Sequence, residues 1–408
     1  MLNFIKKFSI FCFLDNHEYD FNKSYECIAG AGVVHSVISN GINNLRDVDQ
    51  IQRNTGDWVF GHVAYDVKNE IENLRSSNPD GIDFPDFFFF VPEIVFILKE
   101  NELKIGVNNS IDPQEIYNDI ISSNPLYNVN YPSPLLKARF TKKEYIETVQ
   151  KLQQHILRGD CYEINFCQEF FAENIVIDPL LAYRKLSDLS PNPFSAFYKY
   201  EDKYLMCASP ERFLKKNGST IISQPIKGTT NRIKNDLKAD EQRKNNLLHN
   251  DKERSENIMI VDLVRNDLAK ICTKGSVSVK EFLKVYSFPQ VHQMISTITG
   301  NLKDNISLSD IIYATFPMGS MTGAPKKKVM ELIEKYEKTR RGLFSGTVGY
   351  INPGGDFDFN VVIRSVLYNQ SNSYVSIQAG SAITFKSNPE NEYEECLLKI
   401  SAMKKALE

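Results

Sequence analysis

The chain has 408 residues, 42% of them hydrophobic, which is enough for two or three ordinary domains or one large elaborated body with a real core. Its 48 basic and 51 acidic residues leave a net charge of −3, which excludes the broad basic field of a nucleic-acid or anionic-membrane binder and makes a small-molecule ligand the default. Seven cysteines, at 12, 27, 161, 167, 207, 272 and 396, are scattered without CxxC pairing, so neither a disulfide framework nor a zinc knuckle is indicated and a reducing cytoplasm fits.

In chain order, the opening MLNFIKKFSIFCFLDN reads as a first strand and not as a secretory signal, because its apolar run meets Asp15 with no small-residue cleavage site after it. DWVFGHVAYD, FFFFVPEIVFIL and ELKIGV follow as strand-like runs separated by turn residues. The greasiest of them, 87–98, is broken by Pro92 and Glu93 and is far shorter than the roughly 20 residues of a spanning helix, so no membrane segment is expected. NPLYNVNYPSP, at 124–134, reads as a linker and divides an N-terminal region, 1–135, from a second region, 138–408.

After Arg139 the periodicity changes. Thr141 is a candidate N-cap, and Tyr145, Val149, Leu152 and Ile156 recur at helical spacing until Gly159. Strands are predicted around 164–171 and 196–207. One long charged helix is predicted over 238–270, with Leu247, Leu248, Ile258, Val261, Val264 and Leu268 as its apolar flank. Pro325 is read as the first residue of another helix, with Val329, Leu332, Ile333 and Tyr336 on one face. Strands fill 343–385 and a last helix starts near Glu390; no internal repeat or low-complexity tract is present.

Four stretches can carry chemistry. Glu253 with Glu256, and Glu392 with Glu395, are each three residues apart on a predicted helix, so each pair presents two carboxylates to one side. Hard oxygen donors of this kind suit Mg²⁺, although the same spacing describes a solvated helix face. FPMGSMTGAPKKK places glycines and the hydroxyls of Ser320 and Thr322 before a helix, where backbone N–H groups can meet an anion, or where a plain glycine-rich turn sits. It lacks the ending of a Walker A loop. Arg364 lies in an apolar run and needs a carboxylate partner, either Asp358 or a substrate, the internal bridge with Asp358 being the plainer reading. Last, SPERF and PIKGT put Glu211 and Lys227 into short turns between apolar segments. A lysine at a strand end is ordinarily a surface charge, but Gly228 permits close backbone approach and a desolvated Lys227 can become a nucleophile.

Together SPERF, PIKGT, ERSENIMIVDLVRND, GSMTGAPK and the terminal EYEE resemble the chorismate-utilising enzymes, densely from about Gly159 to Lys399 and more weakly through VFGHVAYD and FPD. The lysine of PIKGT is similar to that of aminodeoxychorismate synthase component I chains, where anthranilate synthases carry alanine. The resemblance implies an α+β fold, with two packed antiparallel sheets, helices outside and residues 1–135 joined to the same body. It implies a chain that aminates chorismate to 4-amino-4-deoxychorismate, with ammonia from a separate glutamine amidotransferase subunit. It also implies Mg²⁺ on Glu256 and Glu395 supported by Glu253 and Glu392, with Gly228 and Thr229 at the ring carboxylate and Thr322 among the substrate contacts. Tyr350, Arg364 and Gly380 would take the enolpyruvyl end. Glu211 would be the general acid and Lys227 the nucleophile at C2, its pKa lowered by burial or by a cation such as Arg212 or Arg232.

None of the seven cysteines has the glycine-flanked setting of a glutaminase nucleophile, which is why the amidotransferase is expected on another chain. Some positions depart from the family's commoner pattern: Gln293 where many relatives have histidine, Ser381 and Ala382 in AGSAIT, and Met318 before the GSMTGAPK loop. Glu163, in GDCYEIN, stands where isochorismate and salicylate synthases carry a lysine that activates water. Anthranilate synthase component I is the nearest alternative. A non-catalytic chain that only scaffolds an amidotransferase is the alternative of another class.

Overall fold

Several strands are apolar at nearly every position, and the reason is what lies on their two faces. In the computed structural model, which describes residues 1–19, 24–39, 44–108, 111–123, 133–288 and 291–408, the strand Ile10–Asp15 sends Cys12 into a core between two sheets and Phe11 and Phe13 into a second core under helices. Its neighbour Phe194–Tyr200 does the same, with Ala196 and Tyr198 on the inter-sheet side and Phe197 on the other. Side chains alternate along a strand, so burial on both faces requires a continuous apolar run.

Among the described residues the strands form two antiparallel sheets, of eleven and ten strands, which share one core and carry helices outside, an α+β architecture. Residues 1–135 contribute to both sheets: Ile10–Asp15 pairs with Phe194–Tyr200 in the first, and Val59–Val63 with Thr347–Ile351 in the second. The run read as one greasy segment is two strands in different sheets, Phe87–Val91 and Ile94–Lys99, with Pro92 and Glu93 at the crossing. The chain crosses again between Lys203–Ser209 and Arg212–Asn217, which puts Pro210 and Glu211 at the passage from one sheet to the other. The stretch read as a linker lies almost wholly outside the described residues.

Two helix expectations are corrected. The long helix over 238–270 is two helices, Leu237–Leu248 and Asp251–Ile271, because the Asn250 side chain accepts from the Glu253 backbone N–H and caps the second. Its apolar flank is also narrower than expected, since Ile258 is exposed. Pro325 is the N-cap, one residue before the helix Lys326–Tyr336, with extended backbone and not the helical first position. The helix Lys142–Leu157 carries the Thr141 cap as a full capping box with Glu144.

A buried ion pair ties the site-bearing elements together. Arg341 donates to Glu337 at 2.6 and 3.0 Å, to the Met321 carbonyl at 2.6 Å and to the Asn165 carbonyl at 2.8 Å, while Glu337 accepts from the Cys167 N–H at 2.8 Å. Arg341→Met would leave the Glu337 carboxylate buried without its partner, an expected loss of about 3–5 kcal/mol. The check is urea unfolding, where the midpoint should fall with the slope unchanged.

Candidate active site

Glu211 owes its position to the sheet crossing. Its backbone N–H donates to the Ser209 hydroxyl, its carbonyl accepts from the Val361 N–H, and its side chain is buried. Burial pushes the carboxyl up to about 7, with the Ser320 hydroxyl, the Lys227 charge and the Ile226 N–H pulling the other way. Ser320 is delivered by the turn Gly319–Met321, and the strand Gly323–Ala324 after it pairs with the start of Glu163–Ala172. That pairing requires glycine at 323: its φ is +142°, and a Cβ there would lie 2.1 Å from the Glu163 carbonyl oxygen.

Lys227 sits in a β-bulge. Ile226–Asn231 pairs with Val291–Asn301 at Ile226↔Ile295 and again at Thr229↔Gln293, and the irregularity between them contains Lys227 and Gly228. Gly228 takes φ +87° there, and a bulge of this kind re-aims one side chain out of the ladder. The Lys227 ammonium lies 3.4 Å from Glu163 Oε1 and 3.7 Å from Glu256 Oε2. Burial alone would lower its pKa, but the charges of Glu163, Glu256 and Glu211 outweigh burial and raise it. The expectation of a depressed lysine is therefore corrected: Arg212 is bound to Asp358, and Arg232 to Asp240, so neither acts as its cationic neighbour.

The four glutamates named from sequence spacing do meet, across two helices, Asp251–Ile271 and Pro389–Ala406. At their centre is a cation, Lys252. Lys252 Nζ is 2.8 Å from Glu392 Oε1, 3.9 Å from Glu256 Oε1 and 4.0 Å from Glu395 Oε2. Burial raises Glu253, with the Glu395 charge adding to it, and burial pushes Glu256 up to about 7. Glu395 is only partly buried; the desolvation it does suffer would raise it, yet Lys399, 2.6 Å away, holds it below its ordinary value. Lys399 also donates to the Gly380 carbonyl at 2.7 Å, linking that glycine to the cluster. Hard carboxylate oxygens suit Mg²⁺, and buried oxygens of Glu256, Glu392 and Glu163 have no hydrogen-bond partner among the described residues, so the donor set fits such an ion. As they stand, no three His, Cys, Asp or Glu side chains among the described residues are close enough to chelate one.

Arg364 does not bridge to Asp358, because Arg212 holds both oxygens of that carboxylate at 2.8 and 3.0 Å. Among the described residues the Arg364 guanidinium has no ion pair; burial lowers its pKa, against the Glu395 charge. Its backbone is left-handed, φ +51°, a conformation that arginine holds only where the surroundings impose it. Tyr350 goes elsewhere. It lines a cavity of about 60 Å³ with Tyr25, Arg212, Asp358 and Asn360, whose lining includes neither Lys227 nor any of the glutamates. Thr322 is fully buried and its hydroxyl donates to the Met318 carbonyl, so it secures the turn and has no proton to offer a ligand. Thr229 is exposed, in register with Gln293.

The departures have structural settings. Gln293 is buried, while the adjacent His292 turns to Asp240 and Ser287 on the other face. Ser381 shares a hydrogen bond with Tyr145, and Met318 supplies the carbonyl that closes the Thr322 turn. Sequence reasoning missed three members of the site: Glu163 as partner of Lys227, Lys252, and Lys399. Lys399 and Lys252 had a legible signal, since each stands four residues from a glutamate of the set on its own helix, Glu395 and Glu256 respectively; Glu163 had none.

The chain matches the chorismate binding enzyme family over residues 13–405. It is 33% identical over 364 residues to aminodeoxychorismate synthase component 1 of Bacillus subtilis (strain 168), covering 86% of this chain and 77% of that one. It is 32% identical over 349 residues to anthranilate synthase component 1 of Saccharolobus solfataricus, covering 86% and 80%. Anthranilate synthase component I from Streptococcus pneumoniae TIGR4 superposes with a TM-score of 0.82 over 95% of this chain and 94% of that one; at 24% identity this speaks to the fold.

Proposed function

Because the chain belongs to the chorismate binding enzyme family, we propose that it works as an aminodeoxychorismate synthase component I, aminating chorismate at C4 with ammonia supplied by a separate glutamine amidotransferase. The observation that carries this reading is Lys227, lifted from its strand by the bulge into the charges of Glu163, Glu256 and Glu211. Anthranilate synthase component I is the second reading, favoured by the comparable match to a chain of that name. The assembled set of Glu211, Lys227 and the glutamates weighs against a non-catalytic scaffold. Seven unpaired cysteines fit a cytoplasmic setting, and no helix among the described residues is long and apolar enough to cross a membrane.

In this reading Lys227 first passes its proton to a facing carboxylate, for which Glu163 is placed at 3.4 Å. Its amine then bonds to C2 of the ring as the double bonds shift and the C4–oxygen bond breaks. Glu211 gives its proton to the departing hydroxyl, which leaves as water. Ammonia bonds to C4, the C2–nitrogen bond to Lys227 breaks, and the surplus proton on the new amine returns to Glu211. Glu256 and Glu395 would hold Mg²⁺, with Glu253 and Glu392 supporting it, and the ion would neutralise the ring carboxylate beside Gly228 and Thr229. Arg364, which has no ion pair among the described residues, would bind the enolpyruvyl carboxylate near Gly380. Tyr350 and Thr322 are left out of the substrate contacts on the geometry above.

Product analysis from chorismate, Mg²⁺ and ammonium tests the proposal. The expected product is 4-amino-4-deoxychorismate, with none formed when glutamine replaces ammonium for this chain alone; anthranilate, or unconsumed chorismate, would overturn it. The pH dependence adds a second test. Glu211 must start protonated, and burial pushes its carboxyl up to about 7 in the free chain, so kcat/KM should fall as pH rises through 7. Glu211→Gln should lose about 10²–10⁴-fold in rate, and with it that falling limb.

A further inference from the structure

Three carboxylates from two helices converge on the Lys252 ammonium, at 2.8, 3.9 and 4.0 Å, and the cluster remains unsatisfied even so. Glu392 is 1% exposed, and its Oε2 and the Glu256 Oε1 are buried without a hydrogen-bond partner. One ammonium has fewer donors than these carboxylates have lone pairs. The lysine itself is not locked in, because its side chain is 40% exposed on a flexible four-carbon stem. Glu395 has a second cation in Lys399, whereas Glu392 has only Lys252 within ion-pair distance among the described residues.

We propose that Lys252 is the built-in counter-ion of this acidic cluster: it holds Glu256, Glu392 and Glu395 together in the metal-free protein and must swing outward before a divalent cation can enter. The proposal rests on reading those glutamates as the ion-binding set. An ion coordinated at about 2.0–2.1 Å by their oxygens would claim the space the ammonium occupies, and two cations at that separation repel strongly. Lys252 therefore sets the metal affinity by competition. Replacing it with a neutral side chain should make metal binding tighter, the opposite of what removing a ligand does.

Calorimetric titration of the full chain with MgCl₂ tests this. Lys252→Met should bind Mg²⁺ at least about tenfold more tightly than wild type, as expected when a competing charge a few ångströms away is removed. In EDTA the variant should melt below wild type, and Mg²⁺ should restore it. The wild-type protein supplies an independent readout: acetylation of Lys252 by an N-hydroxysuccinimide ester, followed by mass spectrometry, should be faster in Mg²⁺ than in EDTA. Equal or weaker Mg²⁺ binding by the variant overturns the proposal, as does unchanged labelling of wild-type Lys252. Absence of Mg²⁺ binding to either protein overturns the ion-binding reading of the glutamates as well, and so separates the two failures.

Discussion

Lys227→Ala is expected to lower formation of 4-amino-4-deoxychorismate by about three orders of magnitude or more, since a covalent nucleophile removed alone costs nearly all of the chemistry it begins. The side chain also neutralises Glu163 and Glu256, so its loss leaves buried negative charge and a less stable protein. Lys227→Arg separates the two effects. A guanidinium keeps the ion pairs, and with them the stability, but stays protonated and cannot attack C2. The arginine variant should therefore fold like wild type and be inactive. With C2 open in the alanine variant, ammonia can attack there, and a trace of the 2-amino isomer is the expected by-product. Wild-type enzyme quenched with chorismate and no ammonia should show a mass adduct on the peptide containing Lys227. A near wild-type rate for Lys227→Ala would reduce the lysine to an electrostatic role and remove the main reason for preferring C4 over C2 amination.

Glu256→Gln and Glu395→Gln are expected to cut kcat/KM by about 10²-fold or more, with weaker Mg²⁺ binding, because each removes a charge from the site that receives both a cation and an anionic substrate. Glu256 makes a further prediction, with an unusual sign. Burial holds its folded pKa near 7 against an ordinary 4.5, so between those values the folded chain binds more protons than the unfolded one. Stability from this group then falls as pH rises from 4.5 to 7, and above 7 the buried charge is a standing cost of up to about 3 kcal/mol. In EDTA at pH 8, Glu256→Gln should melt higher than wild type while failing to gain stability from Mg²⁺. Full activity together with wild-type Mg²⁺-induced stabilisation would remove Glu256 from the metal set. The same excess of negative charge is why Lys252→Met should destabilise the metal-free protein.

The pairs Glu253–Glu256 and Glu392–Glu395 were legible because a helix puts residues three apart on one side. Arg364 was legible as a buried cation needing an anion, but its partner was not: Asp358 is near in sequence and is taken by Arg212 from another strand of the same sheet. Tyr350 was assigned to substrate and lines a different cavity. The long helix over 238–270 was misread because the apolar periodicity carries across Asn250, while a cap hydrogen bond decides where one helix ends and the next begins.

By itself the sequence determined the elements and the chemistry available to them: apolar runs for doubly buried strands, capping signals, two acidic pairs, and a lysine beside a glycine in PIKGT. Local rules suffice for these, since they depend on residues within a few positions of one another. Only the tertiary structure decided which charges face which. The bulge aims Lys227 at Glu163, 64 residues away, and the meeting of Asp251–Ile271 with Pro389–Ala406 puts Lys252 against Glu392, 140 residues away. Coulomb energy and desolvation depend on distance and burial in space, so the lysine whose sequence context suggested a lowered pKa is held above its ordinary value by the carboxylates it meets in the folded protein.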